Sequence, residues 1–220
     1  SVERCLGLSW DVPARKESEA AVIDRALRDP LTGLGNRVAL MEELDQLGAG
    51  ARNAAFALLD IDRFKSIHAS LGDAGGDTIL AAIADRLTKK LGTRAKVFRV
   101  GGDAFAILAS GMAASAAALG VELVDLCNRP FPLGERTVFA PASTGVVSGQ
   151  DAEDPLELLK NAELALIQAK RQGGACSRLY SRDLEAFAQG DAVALEADLR
   201  RALELEQFAV YYHPIVHVDD

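Results

Sequence analysis

An apolar segment that ends in acidic residues constrains the fold of this chain more than any other feature. The segment AAFALLDI, residues 54–61, carries no charge before Asp60 and predicts a buried β-strand. From residue 29 onward, predicted helices and strands alternate along the sequence, which is typical of a mixed α/β or α+β domain. The sequence therefore predicts a folded domain built around this strand.

Local signals place the other predicted elements. A Gly-Gly-Asp turn between two β-rich runs in RVGGDAFAIL, residues 99–108, predicts a hairpin. The last predicted helix has the clearest ends, because Asp154 is a favourable N-cap and Gly173 follows the final helical residues. We further predict helices that begin near Asn36, cover residues 77–91 and run from about Ala113 to Arg129, with a strand around Val138 to Val147.

The two ends of the chain differ from the segment between them. Residues 17–28 predict a connector helix with a narrow apolar stripe, which suits either a dimer stalk or a helix that lies on its own domain. After residue 180 the sequence predicts a polar link, an amphipathic helix over residues 192–206 and the start of a strand. Because a strand needs a partner, we expect the natural protein to continue beyond this point.

Composition and charge argue against several classes of protein. No apolar run approaches the roughly 20 residues that cross a bilayer, so we predict neither a membrane span nor membrane contact. A formal net charge of -8 argues against nucleic-acid binding, which needs a basic face. The three cysteines, Cys5, Cys127 and Cys176, fit neither a disulfide framework nor a C-x-x-C metal site. These features favour a location in the cytoplasm.

Acidic residues follow the buried strand at the point where a helix begins. Asp60 and Asp62 stand at the end of the strand, where sheets of this kind form ligand crevices. The first amides of the next helix lack partners and attract anions, so carboxylates for a hard cation lie beside amides for phosphate. Alternatively, the two acids only cap that helix.

The hairpin tip supplies a further acid. If the hairpin lies next to the buried strand, Asp103 and Asp60 converge and share one Mg²⁺, whose shell is completed by water and phosphate oxygens. The alternative is an ordinary tight hairpin turn without a ligand.

Four stretches follow one another in this order: DPLTGLGNR (29–37), LLDIDRFKSIHASLGDAGGDTIL (58–80), RVGGDAFAIL (99–108) and NAELALIQAK (161–170). Together they resemble the GGDEF domain, whose active members are diguanylate cyclases that join two GTP molecules into cyclic di-GMP. The resemblance covers about residues 29–180 and implies an α+β (α/β sandwich) fold. Its central, mostly antiparallel sheet is flanked by helices, as in nucleotidyl cyclase and polymerase palm domains.

The flanking segments resemble parts of other signalling domains. Residues 181–220 look like the linker and start of an EAL domain, the cyclic di-GMP phosphodiesterase module. Residues 1–28 are similar to the last strand and exit linker of a PAS sensor domain. The resemblance therefore implies an EAL domain and an upstream sensor in the same chain as partners, and a second copy of the chain as a further one.

The resemblance also implies the ligands. Asp60, Asp103 and the main-chain carbonyl of Ile61 would hold Mg²⁺ or Mn²⁺. Two lysines would reach the triphosphate of GTP, amides at the start of the helix would cradle it, an acid would read the guanine edge, and two glycines would let the ligand approach. The implied GTP-binding residues are Arg63, Phe64, Lys65, His68, Asp77, Gly101, Gly102 and Lys170.

Several positions depart from the family pattern. Ala104 replaces the glutamate that assists attack by the 3′-hydroxyl, a contribution of about 10²- to 10⁴-fold, so no catalytic residue is intact at this position. At position 68 the chain has histidine where the family has asparagine. The two side chains differ in their hydrogen-bond donors and acceptors, which weakens the predicted selectivity for guanine. The other departures are Asp73 for histidine, Gly174 for a phosphate-binding arginine, and Gly92 and Ala95 for the arginine and aspartate of a product-inhibition motif.

These features together predict a degenerate GGDEF domain. We expect it to bind GTP with Mg²⁺, to have little or no cyclase activity and to regulate the adjoining EAL phosphodiesterase. One alternative is an active cyclase in which Asp62 or a water molecule replaces the missing glutamate. Another is a dimerisation scaffold that binds no nucleotide.

Overall fold

The computed structural model describes residues 25–185, 200–205, 207 and 209. The chain divides into two compact units, residues 1–181 and 182–220. In the second unit, residues 183–185 and 200–204 are helical. Several predicted segments lie mostly or wholly outside the described residues. They are the connector helix, the PAS-like strand, residues 192–199 of the amphipathic helix and the strand after it.

The first unit contains a five-stranded sheet with helices on both faces. The strand order is β2-β3-β1-β6-β7, and all neighbouring pairs are antiparallel except β6 and β7. This arrangement confirms the predicted fold class. The elements are α1 (Arg37–Leu47), β1 (Ala55–Ile61), α2 (Phe64–Leu91), β2 (Lys96–Gly101), β3 (Ala104–Ala109), α3 (Ala116–Asn128), β4 (Phe131–Leu133), β5 (Arg136–Val138), β6 (Ala142–Ser148), α4 (Pro155–Arg171) and β7 (Ser177–Leu179).

The central strand β1 is buried on both of its faces. Alternate residues, among them Leu59 and Ile61, join the core that α2 and α3 form on one face. Phe56 and Leu58 point to the other face, which α1 and α4 cover, and they are also buried. Burial on both faces explains why this strand reads as a continuous apolar run rather than as an alternating pattern.

Helix α4 packs directly on the backbone of β6. A Cβ atom added at Gly145 would overlap the carbonyl oxygen of Ala162 and the backbone nitrogen of Leu166. Only glycine permits this close approach between helix and strand. The contact fixes α4, and therefore Lys170 near its end, against the centre of the sheet.

The predicted helix starts at Asn36 and Asp154 are confirmed. The Asn36 side chain accepts hydrogen bonds from the backbone N–H groups of Val38 and Ala39, and Asp154 accepts one from Glu157. Both caps satisfy N–H groups that a helix leaves without partners at its start.

Two predicted boundaries are wrong. The strand expected over residues 138–147 is two strands, because β5 ends at Val138 and pairs with β4, while β6 begins after Pro141. Helix α2 contains both predicted helices: the one expected after Asp62 begins at Phe64, and the one expected over residues 77–91 lies beyond a break at Gly72, whose φ is 71°. Helix α3 begins at Ala116, preceded by a short 3₁₀ turn. No helix within the described residues has the length and apolar character of a membrane span.

Candidate functional site

The end of β1 lies beside the tip of the β2–β3 hairpin. In the antiparallel register Asp60 faces Ala104, and the backbone N–H of Ile61 donates to the carbonyl of Asp103 at 3.4 Å. Because directly opposed residues point to the same face of a sheet, the side chain of Asp60 and the methyl group of Ala104 are neighbours. The structure thus brings together the three positions that the sequence placed at the metal: Asp60, Ile61 and Asp103.

The charges at this edge are crowded. Burial raises the pKa of Asp60, and the nearby carboxylates of Asp103 and Asp62 raise it further, whereas Lys170 opposes the rise. The Lys170 Nζ atom lies 2.5 Å from Asp60 Oδ1. A cation would relieve the repulsion among these carboxylates.

The donor set at this edge is small and consists of oxygen atoms. Within the described part of the chain, no group of three or more His, Cys, Asp or Glu side chains is arranged to hold a metal. Two carboxylates and a main-chain carbonyl nevertheless fit Mg²⁺, which takes one or two protein carboxylates and fills its shell with water and phosphate oxygens.

The acids at the end of β1 do not cap the following helix, so that alternative is wrong. Asp60 pairs with Lys170, whereas the Asp62 carboxylate accepts the hydroxyl of Ser143 at 2.7 Å and the backbone N–H of Ala175 at 2.6 Å. At the start of α2, Arg63 has a left-handed conformation with φ of 54°, and no side chain caps the first turn. In this first turn the N–H of Ser66 donates to the carbonyl of Arg63 at 2.9 Å, whereas the N–H groups of Phe64 and Lys65 have no side-chain cap and suit an anion.

His68 and Asp73, the two residues of α2 that depart from the family pattern, lie next to each other. His68 is 42% exposed, and its Nε2 atom is 3.4 Å from the carboxylate of Asp73, which is almost fully exposed. The ring of His68 also lies against Gly76, where an added Cβ atom would be 2.5 Å from the imidazole Cδ2. Asp77, the other residue predicted to contact the base, follows Gly76 in the sequence and is exposed.

The cations and glycines of the predicted phosphate site have different surroundings. Lys65 is exposed on the first turn of α2. Lys170 and Arg63 line a cavity of about 320 Å³ at the end of α4. Gly101 and Gly102 are exposed at the hairpin tip and have φ values of 153° and 45°, which glycine adopts without strain.

Ala104 lines a second cavity, of about 220 Å³, between the sheet and helices α1 and α4. Apolar side chains form most of its wall, and the charged residues Arg37 and Glu163 complete it. The alanine thus leaves room for a longer side chain beside Asp60.

Arg99, which has no role in the sequence-based prediction, joins two of the recognised stretches. Its Nη1 atom lies 3.0 Å from Asp29 Oδ1, and its Nε and Nη2 atoms donate to the carbonyl of Gly102 at 3.1 and 2.7 Å. Arg99 is the single cation in RVGGDAFAIL, and a lone cation in a largely apolar stretch is a sequence signal of a specific partner. Its contacts hold the hairpin tip against the loop before α1.

Asp29 is held as a carboxylate by its partners. Burial tends to raise the pKa of Asp29, but hydrogen bonds from the Thr32 side chain and backbone and the hydrogen bond and charge of Arg99 together lower it. Ser143 donates a hydrogen bond to Asp62 and is fully buried in β6. The sequence around Ser143 contains no feature that indicates this partner.

A model of one protein family matches most of the first unit. The family is described as diguanylate cyclase, GGDEF domain, and its model matches residues 26–176, which is more than half of the chain.

Curated relatives are much longer than this chain. It is 35% identical over 209 residues to the cyclic di-GMP phosphodiesterase NbdA of Pseudomonas aeruginosa, a match that covers 92% of this chain and 27% of NbdA. It is 33% identical over 201 residues to the bifunctional diguanylate cyclase/cyclic di-GMP phosphodiesterase MucR of the same species, covering 89% and 29%. The chain thus spans less than a third of the length of these relatives.

Solved GGDEF domains have the same fold. The GGDEF domain of TpbB (YfiN) from Pseudomonas aeruginosa superposes with a TM-score of 0.67 and 32% identity, covering 74% of this chain and 99% of that one. The coiled coil and GGDEF domain of DgcB from Caulobacter crescentus, solved in complex with c-di-GMP, gives a TM-score of 0.67 and 26% identity, covering 77% and 93%. From the family match, the relatives and the shared fold, we conclude that this chain belongs to the GGDEF domain family of cyclic di-GMP signalling proteins.

Proposed function

We propose that this GGDEF domain binds GTP with Mg²⁺ (or Mn²⁺), has little or no diguanylate cyclase activity, and regulates an EAL phosphodiesterase domain of the same protein. One observation carries the proposal: Ala104 lies opposite Asp60 at the end of β1, so a methyl group borders the carboxylates that would hold the metal.

The binding half of the proposal rests on groups that remain. Asp60, Asp103 and the carbonyl of Ile61 would hold the metal, which supplies charge neutralisation for the phosphates when bound. Lys65 and the first N–H groups of α2 lie beside this edge and would bind phosphate oxygens. His68 and Asp77 lie further along α2 and would contact the base.

The loss of turnover follows from the chemistry of position 104. A methyl group neither accepts a proton nor binds a metal, and general-base assistance is worth about 10²- to 10⁴-fold. Asp62 is a poor substitute for the glutamate, because hydrogen bonds from Ser143 and from the backbone N–H of Ala175 hold its carboxylate in one orientation. The same two contacts weigh against an active cyclase in which Asp62 replaces the glutamate; they do not bear on the form in which a water molecule replaces it.

Regulation of a second domain requires differential binding. GTP alters a neighbouring domain only if it binds one interdomain arrangement better than another, and a coupling of about 1–3 kcal/mol gives a response of about 5- to 150-fold. Relatives named as cyclic di-GMP phosphodiesterases support this arrangement for the natural protein.

Titration calorimetry of GTP into the chain with Mg²⁺, followed by chromatography of the same sample, tests binding and turnover together. We expect heat of binding without cyclic di-GMP, and in the full-length protein a GTP-dependent phosphodiesterase rate. Asp103→Asn is the matched control and should weaken the binding.

Three other results would contradict the proposal. Cyclic di-GMP that forms with the wild-type chain and disappears in Asp103→Asn would establish an active cyclase. An absence of GTP binding would favour the dimerisation scaffold. Binding of GTP that leaves the phosphodiesterase rate of the full-length protein unchanged would refute the regulatory role.

A further inference from the structure

We infer that the groove between α2 and the start of β4 binds an acidic amphipathic helix of a partner protein. The groove has a volume of about 790 Å³, and none of the residues that line it belongs to the implied nucleotide or metal site. The inference therefore concerns a second surface of the domain and does not depend on the proposed nucleotide binding.

Positive charge is concentrated at this groove, although the whole chain has a formal net charge of -8. Its walls carry one carboxylate, Asp85, and four cationic side chains, which are Arg86, Lys89, Lys90 and Arg129. The Lys89 Nζ atom lies 2.8 Å from the Asp85 carboxylate, so these two charges offset each other. Within the described part of the chain, neither Lys90 nor Arg129 has an ion-pair partner. An acidic partner would meet these two uncompensated charges.

Arg86 fixes the shape of the groove. Its Nη1 atom donates to the carbonyls of Leu126 and Arg129, both at 2.8 Å. Its Nη2 atom donates to the carbonyl of Pro130 at 2.8 Å, and the guanidinium lies over the ring of Phe131, 3.5 Å from its centroid. Because α2 is thus fastened to the turn between α3 and β4, a partner would meet walls that are already in place.

The two arginines of the groove lie close enough to repel each other. Burial lowers the pKa of Arg86, and the nearby charge of Arg129 lowers it further. A carboxylate placed beside Arg129 would relieve this repulsion. The geometry and the charges of the groove therefore favour the same kind of partner.

The groove is less suited to single-stranded nucleic acid or to a lipid surface. Single strands bind through aromatic rings on which bases stack, and the ring of Phe131 is buried and covered by Arg86. A lipid surface binds through exposed apolar side chains, whereas Leu126 and Phe131, the large apolar residues of the groove, are both buried. A protein segment that enters the groove fits these walls better.

The groove also favours a helix over an extended strand. Pro130 and Pro132 have no N–H group, so a strand added along residues 130–132 would find no donor at these two positions. The carbonyl of Pro130 already accepts a hydrogen bond from Arg86. A helix satisfies its own backbone, and apolar side chains on its inner face would pack against Ala82, Pro130 and Pro132.

Fluorescence anisotropy with a labelled, covalently stapled helical peptide tests the inference. The peptide has about 18 residues, with leucine at every third or fourth position and glutamate at most of the others. We expect saturable binding to the chain with a dissociation constant of roughly micromolar size that weakens as salt is added. A peptide with the same glutamates and serine in place of leucine should bind about tenfold more weakly or less, because it lacks the apolar contacts.

Reversing the two uncompensated charges should remove most of the binding. Lys90→Glu combined with Arg129→Glu should weaken peptide binding by about tenfold or more. Arg52→Glu combined with Arg178→Glu is the matched control, because it changes the net charge equally at two exposed positions outside the groove. The control should keep the wild-type affinity to within about twofold. Circular dichroism verifies that both double variants are folded.

Four results would overturn the inference. They are equal weakening in the two double variants, equal affinity for the leucine and serine peptides, and no saturable peptide binding up to about 1 mM. The fourth is a groove that binds vesicles of phosphatidylserine and phosphatidylcholine, or a single-stranded oligonucleotide, in place of the peptide. All of these measurements are made without GTP, so a failure here leaves the proposed function standing.

Discussion

Arg99 in β2 and Asp29 in the loop before α1 form an ion pair in which both side chains are largely buried, at 13% and 17% exposure. The same guanidinium binds the carbonyl of Gly102, next to Asp103 at the hairpin tip. One side chain thus links the position of the predicted metal ligand to a loop 70 residues away in the sequence.

A double-mutant cycle of Arg99→Ala and Asp29→Ala should reveal a coupling of about 1–3 kcal/mol in the free energy of unfolding, because the pair is shielded from water. Lys96 and Glu43 provide the matched control, since Lys96 also lies on β2 but its pair is more exposed. Their cycle should give less than about 1 kcal/mol. Equal couplings, measured by urea unfolding, would show that burial of the Arg99 pair is unimportant.

The lowered pKa of Asp29 predicts a pH dependence of stability. Because the pKa is lower in the folded chain than its ordinary value of 3.8, the unfolded chain takes up a proton first as the pH falls. The stabilisation by the Asp29 carboxylate is therefore complete well above pH 4 and is lost as the pH falls through the lower folded value. Urea unfolding of wild type and Asp29→Asn should show a constant difference near neutrality that closes in acid. A difference that grows in acid would contradict this sign.

Ala104→Glu should restore part of the missing chemistry. The cavity beside Ala104 has room for the longer side chain, and the new carboxylate would lie next to Asp60. We expect formation of cyclic di-GMP from GTP to rise by at least about 10²-fold, measured by chromatography. Ala104→Gln, which has a similar shape but does not take up a proton, should remain at the wild-type rate. If both variants gain equally, the effect comes from filling the cavity.

Gly145→Ala should destabilise the domain strongly, by about 3 kcal/mol or more, because its Cβ atom would overlap backbone atoms of α4 that cannot move independently. Gly50→Ala is the control, since an added Cβ atom there has no neighbour within 4 Å. That variant should keep the wild-type stability or gain a few tenths of a kcal/mol. Thermal and urea unfolding measure both effects, and similar losses for the two variants would disprove the close packing.

The features that the sequence predicted correctly have local signals. Asn36 and Asp154 were recognisable as caps because a cap depends on neighbours two or three residues away. The closeness of Asp60 and Asp103 was predictable because a hairpin pairs with an adjacent strand in a small sheet. The caps needed only short-range geometry, whereas the approach of Asp60 and Asp103 also needed the assumption that the hairpin lies next to β1.

The partners of Asp62 were not predictable in the same way. Ser143 and Ala175 lie 81 and 113 residues further along the chain, and only the completed sheet brings them to the end of β1. The capping alternative was reasonable from local sequence, but long-range hydrogen bonds replaced it. The break between β5 and β6 had a local signal in Pro141, which has no N–H group for a ladder.

The break at Gly72 divides α2 into two parts with unequal anchorage. All of the fully buried residues of this helix, from Gly76 to Leu91, lie beyond the break, whereas residues 64–71 only rest partly on the core. The first part carries Lys65 and His68, so the part of α2 that would contact a nucleotide is the less buried one. We therefore expect nucleotide binding to slow hydrogen exchange in residues 64–71. The second part of the helix is buried and should exchange slowly with or without nucleotide.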